Sequence, residues 1–388
     1  MKYPLATSSW DQAELDAINR VVSSGLCTMG ENVKQFESDF AKFVGAKHAV
    51  MVNSGSSANL IMVGSLFFRE KNKLKPGDEV IVPAVSWPTT YYPLSQYGLK
   101  LKFVDIDLET LNYDLNALKA AIDDKTRLLV VVNLLGNPND FDVIRSMIGN
   151  RDITIIEDNC ESLGAVYKGQ QAGTFGIMGS FSTFFSHHMS TMEGGLVVTD
   201  DEELYEIMLC LRSHGWTRSL PKVNKVSGVK SDDHFEESWK FILPGYNLRP
   251  LEVEGAIGIE QLKKLPSFLE FRRQNAKLFV ELFGNDKRFI IQREIGISSW
   301  FGFAFIARPE AGIDRKKLAK HLMDNGIECR PIVAGNFAKN KVVTYMPHTI
   351  HGELKNAEWI DSYGLFVGNH QYDISDNLHE LRLLVESF

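Results

Sequence analysis

The sequence predicts an α/β fold, in which a mostly parallel sheet of about seven strands is covered by helices and is followed by a smaller α+β domain. Short β-rich runs alternate with helical or turn segments over the first 250 residues. Continuous apolar runs such as 128–132 are typical of strands that are buried on both faces. The 388 residues, 44% of them hydrophobic, are enough for a large core.

The N-terminal region predicts two helices before the first strand. A capping box at residues 9–12 begins the first helix, and Gly25 ends it. Its apolar residues at helical spacing are Leu15, Ile18 and Val22. The second helix is expected around Glu31 to Val44.

The predicted strands of the large sheet are seven β-rich runs, at 49–52, 79–85, 101–105, 128–134, 153–158, 180–185 and 196–198. Beyond Pro250 a helix-rich stretch is followed by two expected strands, 300–307 and 328–333, with a helix between them. We therefore predict a large domain over residues 1–250 and a small C-terminal domain over residues 251–388.

Charge and composition exclude several classes of function. The net charge of -7 is spread along the chain without a basic block, which argues against nucleic-acid or membrane-surface binding. Residues 1–10 lack the pattern of a signal peptide, and no run of about 18 apolar residues occurs. We expect a cytoplasmic protein with no membrane partner.

The four cysteines lie far apart and form no metal-binding or disulfide spacing, so neither a metal site nor an iron–sulfur cluster is expected. They are interpreted as reduced core thiols, at Cys27, Cys160, Cys210 and Cys329.

Two segments carry candidate binding chemistry. The turn at 54–59 offers hydroxyls, backbone N–H groups and a helix N-terminus to an anion such as phosphate, although it also fits a simple helix cap. Asp158 ends the fifth predicted strand, where a carboxylate faces the crevice of an open α/β sheet. It could hold a pyridine nitrogen protonated, or cap the next helix.

These segments, together with Ser180-Phe181-Ser182 and Glu193-Gly194-Gly195, resemble the DegT/DnrJ/EryC1-type sugar aminotransferases, which depend on pyridoxal 5'-phosphate (PLP). The resemblance covers the chain from about Tyr3 through Pro250, and more loosely to the C-terminus. It implies the aspartate aminotransferase (fold type I) architecture, and a homodimer with active sites at the subunit junction.

One position departs from that family. Its aminotransferases carry the lysine that binds PLP six positions before the glutamate of Glu-Gly-Gly, and here that position is His187. The only lysine between Asp158 and Glu193 is Lys168, in an expected hairpin. Histidine exchanges protons near neutral pH but cannot form the stable imine of a primary amine.

The resemblance therefore implies a ketosugar dehydratase rather than an aminotransferase. His187 would be the acid–base catalyst and Asp158 the partner of the pyridine ring. PLP and its pyridoxamine form (PMP) would alternate, with L-glutamate as amino donor and a 4-keto nucleotide sugar as substrate. An aminotransferase, or a silent relative that only binds, is the alternative.

The remaining roles are carried over from the resemblance. The expected cofactor-binding residues are Ser56, Ser57, Trp87, Asp158, Glu161, Ser182 and, from the partner subunit, Asn247. The candidate substrate-binding residues are Arg249, Arg330 and His188. Either arginine could instead form a structural ion pair, and either histidine could be an ordinary polar turn residue.

Overall fold

The computed structural model describes residues 1–388, which form a large mixed sheet covered by helices and a smaller antiparallel sheet. The α-helices are α1 Gln12–Ser24, α2 Glu31–Val44, α3 Gly55–Ser65, α4 Pro88–Gln96, α5 Leu115–Ala121, α6 Phe141–Ile148, α7 Glu202–Arg212, α8 His234–Ser238, α9 Glu252–Phe283, α10 Arg315–Asp324, α11 Lys355–Tyr363 and α12 Ser375–Ser387.

The strands alternate with these helices through most of the chain. They are β1 His48–Val52, β2 Glu79–Pro83, β3 Lys100–Val104, β4 Thr126–Val132, β5 Thr154–Asp158, β6 Val166–Tyr167, β7 Gln170–Gln171, β8 Met178–Ser182, β9 Gly195–Thr199, β10 Val223–Asn224, β11 Gly228–Val229, β12 Phe289–Ile291, β13 Gly302–Ala307, β14 Cys329–Arg330, β15 His348–Ile350 and β16 Gly364–Gly368.

The large sheet has the order β1-β9-β8-β5-β4-β2-β3-β15. Only β9 runs antiparallel, against both β1 and β8, so the predicted mostly parallel sheet is confirmed. The sequence predicted seven strands, and the structure adds an eighth, β15, at the edge beside β3. Its three residues are all exposed, so they carry no apolar run that could have identified a strand.

Helix α1 corrects the predicted cap and face. The capping box lies two residues later than 9–12, with Asp11 as N-cap and Glu14 as its reciprocal partner. Leu15 and Val22 are 47% and 61% exposed, whereas Glu14, Ala17 and Val21 are buried. Glu14 can be buried because Lys264 and Gln261 donate hydrogen bonds to its carboxylate, which apolar periodicity cannot reveal.

The expectation that all four cysteines are reduced core thiols is confirmed only in part. All four thiols are free, as expected for a reduced protein. Cys210 is buried, but Cys27 is exposed, so its assignment to the core was wrong. Cys27 follows the end of α1 in an irregular segment, where neighbouring elements cover little of the chain.

The small sheet has the order β12-β13-β16-β14 and shares an apolar core with the last turns of α9 and with α10 and α12. Tyr3 belongs to this core, and its hydroxyl donates to the Gly368 carbonyl. Conversely, β15 lies in the C-terminal part of the chain but extends the large sheet. The first part of α9 also packs on α1 and α2 of the large domain. We therefore propose that the division near residue 250 holds for most of the chain, while these three segments cross it.

No helix combines the length and apolar character needed to cross a bilayer.

One buried ion pair ties the first elements of the large domain together. The guanidinium of Arg212 contacts the Glu37 carboxylate at 2.5 Å and donates to the Met51 carbonyl at 2.7 Å. The Arg212 and Glu37 side chains are 3% and 11% exposed. Because α7, α2 and β1 meet at this pair, it joins three elements.

We expect Arg212→Met to lower the free energy of unfolding by about 3–5 kcal/mol, because it leaves the Glu37 carboxylate buried without its partner. The double variant Glu37→Gln/Arg212→Met should recover part of that loss, since no uncompensated charge remains. Urea unfolding monitored by circular dichroism measures both. A double variant less stable than Arg212→Met would contradict this account.

Candidate active site

A cleft of about 340 Å³ opens at the carboxyl ends of the central strands of the large sheet. Parallel strands end on the same side of a sheet, so the residues that follow them converge there. The predicted site residues that line this cleft are Ser56, Trp87, Asp158, Glu161, Ser182, His187 and Arg330. The structure thus gathers seven of the predicted residues from segments up to 274 positions apart (330 minus 56).

The Asp158 carboxylate is fixed by three donors from three parts of the fold. Asn59 of α3 donates to Oδ2 at 2.9 Å, Thr90 of α4 donates to the same oxygen at 2.7 Å, and the Cys160 amide donates to Oδ1 at 3.1 Å. Ser180 of β8 in turn donates to Asn59 at 2.6 Å. Asp158 is only 6% exposed, so these hydrogen bonds hold a buried carboxylate at the floor of the cleft.

The predicted anion turn begins α3 just above this floor. Ser54 is the N-cap and accepts from the Ser57 amide at 3.1 Å, while the Ser57 hydroxyl donates to Asn53 at 2.7 Å. The Ser57 hydroxyl is therefore already engaged, whereas Ser56 faces the cleft. The turn can be a helix cap and an anion site at once, because a capped helix start also presents unpaired N–H groups to an anion.

Glycine at position 55 keeps this turn close to the sheet. A Cβ atom there would lie 2.6 Å from the Ser182 Cβ, so no larger residue fits without displacing α3 from β8. Ser182 ends β8 directly opposite, which brings its hydroxyl and that of Ser56 to the same part of the cleft. This arrangement suits a bound phosphate.

Trp87 lies on the opposite wall, immediately before α4 begins at Pro88. Its side chain is 51% exposed although it belongs to the cleft. An indole face turned into a cleft that also holds a buried carboxylate is available to stack on a planar ring. The cleft therefore has an anion turn, a ring-stacking wall and a carboxylate, which is the donor set that PLP requires.

His187 lies in the turn that joins β8 to β9. The turn is closed by backbone hydrogen bonds from Thr183 to Gly194 and from Phe185 to Met192, at 3.0 and 3.1 Å. Gly194 has a φ of 147°, and a Cβ there would lie 2.4 Å from the Thr183 Oγ1, so this position needs glycine. The turn therefore aims the imidazole of His187 into the cleft, where a lysine of the resembling family would stand.

The imidazole of His187 is held in its neutral form. Burial and the positive charges of Arg330 and Arg272 lower the pKa of His187 to about 3. Its Nδ1 is enclosed by protein and has no hydrogen-bond partner, whereas Nε2 is not enclosed, so Nε2 is the nitrogen that a ligand in the cleft can reach. A ligand that brings phosphate charge into the cleft would raise this pKa towards neutrality, because it would offset the two cations.

His188 lies behind the cleft rather than in its wall. Its side chain is 1% exposed, and Nε2 contacts the Ser299 carbonyl at 3.1 Å, which places the proton on Nε2. Burial and the nearby Arg272 hold the pKa of His188 well below its ordinary value. This placement favours a supporting role and speaks against the substrate contact expected for His188.

Glu161 and Arg330 form the side of the cleft next to His187. The Leu135 amide donates to Glu161 Oε2 at 3.2 Å. Burial raises the pKa of Glu161 to about 7, although the charge of Arg330 opposes that change. Arg330 stacks over the Phe366 ring at 4.9 Å, and its Nε has no partner, so it forms no structural ion pair in this chain and can bind an anion.

Asn247 and Arg249 do not join this cleft. Arg249 donates to Asn247 at 3.0 Å, and its guanidinium lies 5.9 Å from the Trp216 ring centroid. The Leu248 carbonyl between them accepts from the Asn53 amide at 3.0 Å, directly before the anion turn. Asn247 is exposed. Within one chain neither residue touches the other candidate residues, which is compatible with the expected contribution to a partner subunit's site.

Several residues of the site were missed from sequence. Phe301 lines the cleft from the small domain, and Asn59 and Thr90 orient Asp158. Asn59 lies inside the predicted turn at 54–59, so its position in the sequence could have marked it as a site residue. Phe301 and Thr90 carry no local motif, because only the packing of distant segments brings them to the cleft.

The model of the DegT/DnrJ/EryC1/StrS aminotransferase family matches residues 8–372. The chain is 61% identical to the GDP-4-keto-6-deoxy-D-mannose 3-dehydratase of Yersinia pseudotuberculosis, over 98% of this chain and 97% of that protein. It also resembles a crystal structure of a GDP-4-keto-6-deoxymannose-3-dehydratase with a trapped PLP–glutamate geminal diamine, with a TM-score of 0.98, 60% identity, and coverage of 98% and 99% of the two chains.

A second solved structure adds a sugar nucleotide. It is a histidine-to-asparagine mutant of GDP-4-keto-6-deoxymannose-3-dehydratase with bound GDP-perosamine, with a TM-score of 0.98 and 59% identity. The similarity covers 99% of this chain and all of that one. These likenesses extend over both sheets and confirm the predicted fold type I architecture.

The raised pKa of Glu161 predicts a pH-dependent stability. Because the folded-state pKa, about 7, exceeds the ordinary value of 4.5, the unfolded chain loses this proton first, and stability falls as pH rises from about 4.5 to about 7. Glu161→Gln removes the ionisable group. We expect it to stabilise the ligand-free protein by about 2–3 kcal/mol at pH 8 and to have little effect at pH 4.5. Urea unfolding at both pH values measures the difference, and equal effects at the two would contradict it.

Proposed function

The chain belongs to the DegT/DnrJ/EryC1/StrS aminotransferase family, and from that premise we propose that it is a PLP-dependent dehydratase acting on GDP-4-keto-6-deoxy-D-mannose. It removes the C3 hydroxyl and uses L-glutamate as amino donor, which gives a 4-keto-3,6-dideoxy sugar nucleotide, ammonia and 2-oxoglutarate. The observation that carries this proposal is the free imidazole of His187 in the place of the family's lysine.

The cleft fits PLP and its pyridoxamine form without a covalent anchor. Asp158 would hold the pyridine nitrogen, Trp87 would cover a ring face, and Ser56 and Ser182 would hold the phosphate with the N-terminus of α3. Ser57 would support that turn through its amide and its bond to Asn53. When bound, the cofactor supplies an amine for the 4-keto group and a ring that stabilises negative charge.

The absence of a lysine decides the outcome of the reaction. Lys168 lies at the turn of the β6–β7 hairpin, 67% exposed and paired with Asp142, so it cannot replace the missing amine. Without a primary amine at position 187, the protein has no covalent hold on PLP. It therefore favours release of a deoxygenated ketosugar and ammonia over a retained aminosugar.

His187 is the proposed proton carrier. Its neutral imidazole can accept a proton through Nε2, the nitrogen that is not enclosed by protein, and then return it to the hydroxyl that leaves from C3. One group can serve both steps because an imidazole that has taken a proton becomes an acid; the neighbouring His188 lies behind the cleft, against the Ser299 carbonyl. Glu161, which lines the same cleft and has a pKa of about 7, would contact the ring hydroxyl of PLP.

Arg330 is the proposed anion-binding group on the small-domain side, for the glutamate carboxylate or the sugar diphosphate. We further propose a homodimer in which Asn247 and Arg249 of each chain complete the other chain's cleft. Exposed apolar residues near the cleft, among them Phe184, Phe185, Met192 and Leu251, fit burial in such an interface. We place the product in deoxysugar biosynthesis, with colitose of lipopolysaccharide O-antigen as the expected end.

The decisive experiment incubates the purified protein with PLP, L-glutamate and a panel of 4-keto nucleotide sugars. We expect release of ammonia in equal amount to 2-oxoglutarate, and a product lighter by one oxygen by mass spectrometry, with GDP-4-keto-6-deoxymannose as the best substrate. A retained aminosugar without free ammonia would identify an aminotransferase. No turnover of any ketosugar would identify a protein that only binds.

We expect His187→Asn to reduce dehydration by about 10²- to 10⁴-fold, because asparagine cannot carry a proton. Binding of PLP should persist, since none of the proposed phosphate or ring contacts involves the imidazole. Product release assayed by mass spectrometry and PLP binding followed by absorbance test both points. His379→Asn, on the exposed surface of α12, is the matched control and should leave the rate unchanged.

A normal rate in His187→Asn would overturn the assignment of the base. His187→Lys provides the reverse test, since it should yield a PLP link that borohydride traps and should still lose dehydration.

A further inference from the structure

A buried arginine without a carboxylate partner lies behind the two histidines. Arg272 of α9 is 3% exposed, and burial lowers its pKa to about 10. None of its neighbours is an acidic residue within ion-pair distance, which is unusual, because buried charges are normally paired. The cost of burying this cation therefore has to be offset by other contacts.

Those contacts are backbone carbonyls of residues just before β13 and just after β16. The guanidinium donates to the Phe301 carbonyl at 3.1 Å and to the Asn369 carbonyl at 3.0 Å, and it lies 3.5 Å from the Trp300 carbonyl. The side-chain amide of Asn369 donates hydrogen bonds to the Trp300 carbonyl at 2.9 Å and to the Arg272 carbonyl at 3.0 Å. Arg272 thus gathers the start of β13 and the end of β16 onto α9.

The segment that Arg272 holds is strained. Trp300 has a φ of 45°, in the left-handed region that a non-glycine residue seldom adopts. Its neighbours bond to the loop after β4, with the Ser299 amide donating to Gly136 at 2.9 Å and the Phe301 amide donating to Leu135 at 3.0 Å. Such a conformation persists only where surrounding contacts determine it.

The same segment is the surface on which both histidines rest. The Phe301 ring centroid lies 5.2 Å from that of His187 and 5.7 Å from that of His188. The Ser299 carbonyl bonds to His188 Nε2. If the segment relaxed, the two rings would lose their common packing surface and His187 would gain access to water.

We propose that Arg272 is a positioning residue for the dehydration: it fixes Ser299–Phe301 in a strained conformation that holds His187 in its reactive orientation. This inference rests on the proposed function and extends it to a residue that does not line the cleft. The charge of Arg272 has a second effect, because it opposes protonation of both imidazoles. The other charged groups that face them are Arg330, towards His187, and Arg273, towards His188.

The test compares Arg272→Met, Arg272→Lys and Arg288→Met with the wild-type holoenzyme. Arg272→Met removes the charge and the donors at similar length. Arg272→Lys keeps the charge and some donors. Arg288→Met is the matched control: Arg288 is also partly buried and bonds to a carbonyl, that of Val385, but it lies far from the histidines in the Asp286 network.

We expect Arg272→Met to lower kcat at least tenfold per folded active site, with KM for the sugar nucleotide changed by less than threefold. The acidic limb of the pH profile of kcat should move to higher pH. The pKa of His187 should rise, because its imidazole loses a repelling charge and becomes accessible to water. Arg272→Lys should restore part of kcat and keep the limb nearer to wild type, and Arg288→Met should alter neither.

Hydrogen exchange of the ligand-free protein supplies a readout apart from activity. Peptides over 298–303 should exchange at least tenfold faster in Arg272→Met than in Arg288→Met, while those over β4 and β5 should not. A kcat within twofold of wild type together with unchanged exchange over 298–303 would overturn the proposal. If Arg272→Met fails to fold, Phe301→Leu, which removes the packing ring but keeps the Arg272 charge, must show the same loss of kcat, or the proposal fails. A wild-type protein that performs no dehydration would instead contradict the proposed function.

Discussion

The buried hydrogen-bond network around Asp158 is the constraint on which the site depends. Its carboxylate is largely removed from water, so both oxygens must find donors, and those donors come from α3, from α4 and from the turn after β5. Meeting that requirement fixes where the anion turn, the stacking wall at Trp87 and the floor of the cleft lie relative to one another. A shift of any one element would leave a buried charge without its partners.

Above that floor the site is built around cations. Arg330 faces the cleft, while Arg272 lies behind the histidines, and neither has a carboxylate bound to it. Their charges and the burial of the ring explain why His187 is neutral, since each disfavours an imidazolium. The same cations suit a protein whose proposed cofactor and substrate both carry phosphate groups.

The sequence predicted the strands of the large sheet and most of the cleft, but it failed where packing reverses local patterns. Leu15 and Val22 have the spacing of a buried face and are exposed, while Glu14 is buried because Lys264 and Gln261 neutralise its charge and satisfy its oxygens. Strand β15 has no apolar pattern, since it joins an edge through backbone hydrogen bonds alone. His188 was a candidate substrate-binding residue, but its ring lies behind the cleft, where it bonds to the Ser299 carbonyl.

The amino-acid sequence by itself determined the chemistry: a carboxylate at a strand end, a serine-rich turn, and histidine at the position where the family it resembles carries lysine. Such information is local, because it depends on residue types and on short intervals along the chain. Only the tertiary structure decided that Phe301 packs against His187, that Arg272 bonds to the Phe301 carbonyl, and that Arg330 faces the same cleft. Contacts between segments that are far apart along the chain depend on how helices and sheets pack, and no local pattern records that packing.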